Sequence, residues 1–73
     1  MSAAADSITI TLNGDAARVP AGSSLLALVE RLGRDPRAVA VEHNGEIVAR
    51  AAYGERELRE GDRLEVVGFV QGG

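Results

Sequence analysis

Cysteine, lysine and tryptophan are all missing from this chain of 73 residues. Without cysteine there is no disulfide framework, no thiolate zinc site and no thiol nucleophile, so sulfur chemistry would have to run through the C-terminus. Without lysine, all eight basic residues are arginines, and copies of the chain cannot be joined through side-chain amines. Aromatic residues are reduced to Tyr53 and Phe69, which leaves Val, Leu, Ile and Ala to fill the core. His43 is the one histidine. With no convergent carboxylate cluster it is a poor metal ligand, and it is expected at the surface of a strand end.

Other absences narrow the function classes. No apolar run is long enough to span a bilayer, and Met1 to Ser7 lacks the basic start and apolar stretch of a secretory signal, so a cytoplasmic location away from membranes is expected. The net charge is −3 and the arginines are spread singly, leaving no basic stripe for a phosphate backbone and no expected nucleic-acid partner. A chain of this size with 45% hydrophobic residues makes one small domain that buries only about 60% of its unfolded surface. Neither a deep substrate pocket nor a large cofactor fits such a core easily, which disfavours an autonomous enzyme and points to a monomer that serves other proteins.

What is present is a regular alternation of turn signals and apolar patterns. Ile8, Ile10 and Leu12 alternate with Thr9 and Thr11, the mark of a half-buried strand. Asn13-Gly14 supplies the two positive-φ positions of a type I′ turn, so Ala16 to Val19 returns beside the first strand until Pro20. Ser24 is placed to cap a helix on which Leu25, Leu28, Val29 and Leu32 form one apolar stripe. Burying those four side chains would contribute about 6 to 12 kcal/mol before the loss of entropy. Gly33 is suited to closing the helix, and Asp35-Pro36-Arg37 to a turn.

Alternation resumes at Val39 to His43, Asn44-Gly45 signals a second tight turn, and Glu46 to Val48 returns. Residues 49–59 lose periodicity, with Tyr53 and Leu58 as anchors onto the core. After the turn at Glu60-Gly61-Asp62, a last strand is expected from Arg63 to Val70. Two hairpins, one helix and a last strand define an α+β fold of the ubiquitin-like β-grasp order, with about five strands in a mixed sheet and the helix across one face. Right-handed crossover favours the last strand parallel to the first at the sheet centre. The domain is expected to span 8–70, between a flexible extension at 1–7 and a flexible tail at 71–73.

In the last strand, Leu64, Val66 and Gly68 share one face, and Glu65, Val67 and Phe69 share the other. With Leu64 and Val66 under the helix, Val67 and Phe69 stand on the open face close to Gly72-Gly73. Beside a projecting tail, such a pair reads as a docking patch; alternatively, the Tyr53 and Leu58 loop folds over it, or the two are scattered apolar residues without a role. Gly-Gly at an end is either a frayed terminus or a thread slim enough for a narrow channel. Extended, Gln71 to Gly73 reach about 10 Å.

Val41-Glu-His-Asn-Gly-Glu-Ile-Val48 followed by Arg50, then Glu60-Gly-Asp-Arg-Leu-Glu-Val66, then Val70-Gln-Gly-Gly73 together resemble the small ubiquitin-like β-grasp sulfur carriers, and among them those of bacterial thiamine biosynthesis. The resemblance covers nearly the whole chain. It departs in the extension Ser2 to Ser7 and in Tyr53, where tryptophan is common.

The resemblance implies that an E1-like adenylating enzyme, using ATP and magnesium, activates the Gly73 carboxylate. A persulfide donor then supplies sulfur, and the resulting thiocarboxylate goes to the thiazole synthase. Gly73 would be the modified residue, Gln71 and Gly72 the threaded segment, and Val67, Phe69 and Val70 the partner interface. The chain itself would hold no catalytic residue, metal or cofactor. Rival readings are the small subunit of molybdopterin synthase, a carrier for another sulfur pathway, and, from another class, a ubiquitin-like protein modifier or a structural interaction module.

Overall fold

The computed structural model describes residues 6–68. The strands are β1 (Ser7–Leu12), β2 (Asp15–Pro20), β3 (Val39–His43), β4 (Glu46–Val48) and β5 (Arg63–Gly68), and the helix α1 (Leu25–Arg31) lies between β2 and β3. They form one five-stranded sheet in the order β2-β1-β5-β3-β4. β5 runs parallel to β1 and antiparallel to β3, so it occupies the centre of the sheet, the placement expected from the sequence.

Both hairpins turn where the sequence requires. Asn13 and Gly14 have φ of 51° and 90°, and Asn44 and Gly45 have 52° and 86°, the paired positive values of a type I′ turn. At the start of α1 the Ser24 hydroxyl accepts a hydrogen bond from the Ala27 N–H at 3.0 Å. At its end, the Gly33 N–H donates to the Glu30 carbonyl and the Arg34 N–H to the Val29 carbonyl, the double bond of a Schellman motif with Gly33 at positive φ. A single 3-10 turn at Pro36–Ala38 and another at Arg50–Ala52 complete the connections.

The core joins Leu25, Leu28 and Val29 of α1 to Ile10, Val19, Val39, Val41, Val48, Leu64 and Val66 of the sheet, with Tyr53 and Leu58 as the expected anchors. Leu32 departs from the expected stripe and is 40% exposed. Regular helix stops at Arg31, and Leu32 is already the C-cap from which the chain turns away through Gly33. The helix therefore buries three large side chains, about 5 to 9 kcal/mol of transfer free energy before entropy.

His43 also departs from expectation and is 7% exposed. In β3 the covered positions are Val39, Val41 and His43, so the alternation that buries the two valines carries the imidazole inward as well. The aperiodic stretch after β4 is tied to the helix start: Leu25 N–H donates to the Arg56 carbonyl, Leu26 N–H to Tyr53 and Leu58 N–H to Ser23.

Candidate functional site

The candidate residues named from sequence follow one another from Val67 in β5 to the end of the chain. Of these, Val67 is described and stands 57% exposed, while Phe69, Val70, Gln71, Gly72 and Gly73 lie outside the described residues, as does most of the N-terminal extension. Leu64 and Val66 are buried and Val67 faces out, the division that alternation predicts. Tyr53 and Leu58 are each 2% exposed within the core, so their loop packs on the helix-covered side and not over Val67.

The outward face has a definite pattern. β3 pairs Ala40 with Val67 and Glu42 with Glu65, while β4 sets Ile47 opposite Glu42. Ile47 is 71% exposed, the most exposed large apolar side chain described. It was missed as a site residue, although Val48 on the covered face places its neighbour outward. Val67, Ala40 and Ile47 thus line one shallow groove with Glu42 and Glu65.

The strand that leads to this groove is held firmly. β1 pairs with β5 only at Thr11 with Arg63 and Leu12 with Leu64 before it turns into its hairpin. Asn13 then prolongs the hold. Its backbone N–H donates to the Leu64 carbonyl at 2.9 Å, its side-chain oxygen accepts from the Val66 N–H at 2.9 Å, and its Nδ2 donates to the Val66 carbonyl at 3.3 Å. The amide imitates one more residue of the neighbouring strand. Nothing local signals this, because the partners are 53 residues apart. On the covered side a Cβ at Gly68 would lie 2.6 Å from the Arg34 guanidinium, so glycine there leaves room for the arginine across the strand end.

The start of β5 is fixed by Asp62. Its Oδ1 accepts from Asn44 Nδ2 at 3.1 Å, while its Oδ2 accepts from the Arg59 N–H at 2.9 Å and lies 2.7 Å from His43 Nε2. Asn44 completes the knot by accepting from the Arg63 N–H at 2.8 Å. Burial alone would raise the Asp62 carboxyl, but the hydrogen bonds from His43, the Arg59 backbone and Asn44 outweigh it and hold the group below its ordinary value. An ionised carboxylate only accepts, so Nε2–H is the donor. His43 Nδ1 is buried with no hydrogen-bond partner among the described residues. The same residues contain no cluster of three or more His, Cys, Asp or Glu side chains able to hold a metal, and no helix long and apolar enough to cross a membrane.

The family model described as the ThiS family matches residues 8–73, almost the whole chain and through both terminal glycines. The chain belongs to the ThiS family. Among curated relatives, the sulfur carrier protein ThiS of Thermus thermophilus is 38% identical over 64 residues, which are 88% of this chain and 98% of that protein. Two proteins named thiazole synthase, from Paramagnetospirillum magneticum and Magnetococcus marinus, are 41% and 45% identical over 64 residues. Those 64 residues are 88% of this chain and 20% of each relative, so the chain spans about a fifth of their length. The crystal structure of a thiamine biosynthesis protein, ThiS, from Geobacter metallireducens superposes with a TM-score of 0.77 at 29% identity, covering 90% of this chain and 100% of that one. The β-grasp order read from the turns and alternation is thus that of ThiS.

Proposed function

We propose that this ThiS-family chain is a sulfur carrier for thiazole formation in thiamine biosynthesis, acting in the cytoplasm as a substrate of other enzymes and not as a catalyst. The observation that carries this reading is the family match continuing through Gly73, joined to a central strand whose two ends are pinned by Asp62 and Asn13. Five residues beyond Gly68 span at most about 17 Å, enough to enter a deep active site while the sheet stays outside.

In this reading an oxygen of the Gly73 carboxylate attacks the α-phosphorus of ATP on an E1-like adenylating enzyme, and pyrophosphate leaves. The terminal sulfur of a persulfide donor attacks the acyl carbon and AMP departs. A thiol then cleaves the acyl disulfide, leaving a thiocarboxylate on Gly73 and a disulfide on the donor side. ATP and magnesium belong to the adenylating enzyme; the chain contributes its carboxylate and the slimness of Gln71, Gly72 and Gly73. A Cβ at position 73 would crowd the acyl carbon, and one at position 72 would widen the channel required. A chain without cysteine carries no thiol of its own to intercept the activated acyl group.

Val67, Phe69 and Val70 are proposed as the docking residues, supported by the exposure of Val67 on the outward face. The relatives named thiazole synthase favour the thiamine pathway over molybdopterin synthesis. Pyrophosphate release by the purified adenylating enzyme tests the reading: it should depend on this chain and vanish when residues 72–73 are deleted. Release that ignores the deletion would contradict it.

A further inference from the structure

The open face of the sheet contains a local conflict. Glu42 and Glu65 are direct cross-strand partners of β3 and β5, an arrangement in which like charges repel. Among the described residues no arginine forms an ion pair with either: Arg37 pairs with Asp35, Arg56 with Glu46 and Arg59 with Glu57. Arg63 shares the face, two residues before Glu65, and lines the neighbouring hollow with both carboxylates, yet none of the described ion pairs joins it to either. Ile47 flanks the acidic pair on the β4 side, and Val67 and Ala40 form the next row toward the tail. The groove so lined holds about 170 Å³, less than the roughly 300 to 1,000 Å³ of small-molecule sites. It is the size of a side chain.

We propose that this face seats a single arginine or lysine of the thiazole synthase between Glu42 and Glu65, while apolar side chains of the same surface cover Ile47 and Val67. The inference rests on the carrier reading above and adds the chemistry of the partner. A cation between the two carboxylates removes their repulsion, and apolar cover on both sides excludes the water that would screen the attraction. Because β5 runs from Glu65 through Val67 toward the tail, a fixed charge contact here also sets the direction in which the tail enters. The synthase is chosen as occupant because the two relatives that contain the matching stretch within a longer chain bear that name.

The full chain, its Glu42→Gln and Glu65→Gln variants and the double variant would be titrated into the thiazole synthase and, separately, into the adenylating enzyme of the same organism, at low and high salt. Each single change should weaken binding to the synthase about tenfold and flatten its salt dependence, with the adenylating enzyme bound as before. The free variants should melt at the parent temperature or about 1 to 4 °C higher, since a repulsion has been relieved. Unchanged affinity for the synthase, a loss confined to the adenylating enzyme, or a lower melting temperature accompanying the loss would each overturn the proposal. A parent chain that binds the synthase while the variants bind equally well removes only this seat; a parent that neither binds the synthase nor gains sulfur removes the carrier reading itself.

Discussion

Asn13 does three things at once: it turns the first hairpin, it caps the short pairing of β1 with β5, and its amide grips both backbone groups of Val66. Replacing it with Ala should cost about 1 to 3 kcal/mol, from two lost hydrogen bonds and a left-handed backbone that alanine tolerates poorly. Hydrogen exchange at the Val66 amide should speed up more than at Ile10, and equal acceleration at both would show that Asn13 acts only through global stability. Asp62 provides a test by pH. Its carboxyl titrates below its ordinary value of 3.8 in the folded chain, so its contribution is present above that value and is lost as pH falls through the folded one. Thermal melts should show stability falling below about pH 4, and Asp62→Asn should flatten that acid limb while lowering stability at neutral pH. At this scale the sequence was partly legible. The turn asparagines announced their backbone geometry, but the reach of Asn13 to a residue 53 positions away and the buried imidazole of His43 depend on register, which only the assembled sheet defines.

Each strand, the helix and both hairpins were readable as elements because every one carries its own punctuation: Asn-Gly at the turns, Ser24 and Gly33 at the helix ends, strict alternation in β1, β3 and β5. The buried stripe on α1 is one position shorter than the i, i+3, i+4, i+7 spacing predicts, because Leu32 is the cap. The same alternation that buried Leu64 and Val66 placed Val67 outward; the acidic row of Glu42 and Glu65 was hidden until β3 and β5 were paired. Docking belongs to this scale. Phe69→Asp should weaken association with the adenylating enzyme or the synthase by tenfold or more, with a melting temperature close to the parent, as read by calorimetry and circular dichroism. Affinity for both partners equal to the parent would mean the patch is idle.

As a whole the molecule is a thin core under one two-turn helix, and domains of this size have stability near the low end of about 5 to 15 kcal/mol. Leu28 is 2% exposed at the middle of that helix. Leu28→Ala should cost about 2 to 5 kcal/mol, enough to leave much of the chain unfolded at physiological temperature in a urea-referenced melt. Beside this core the central strand β5 is held at its start by Asp62 and near its end by Asn13. The proposed function rests on one carbon atom, the carboxyl carbon of Gly73. Intact-mass spectrometry of the chain, after expression with its adenylating enzyme and a persulfide donor, should show one oxygen replaced by sulfur, and fragmentation should place the change at Gly73. A terminus that stays a carboxylate while ATP goes unconsumed would contradict the account.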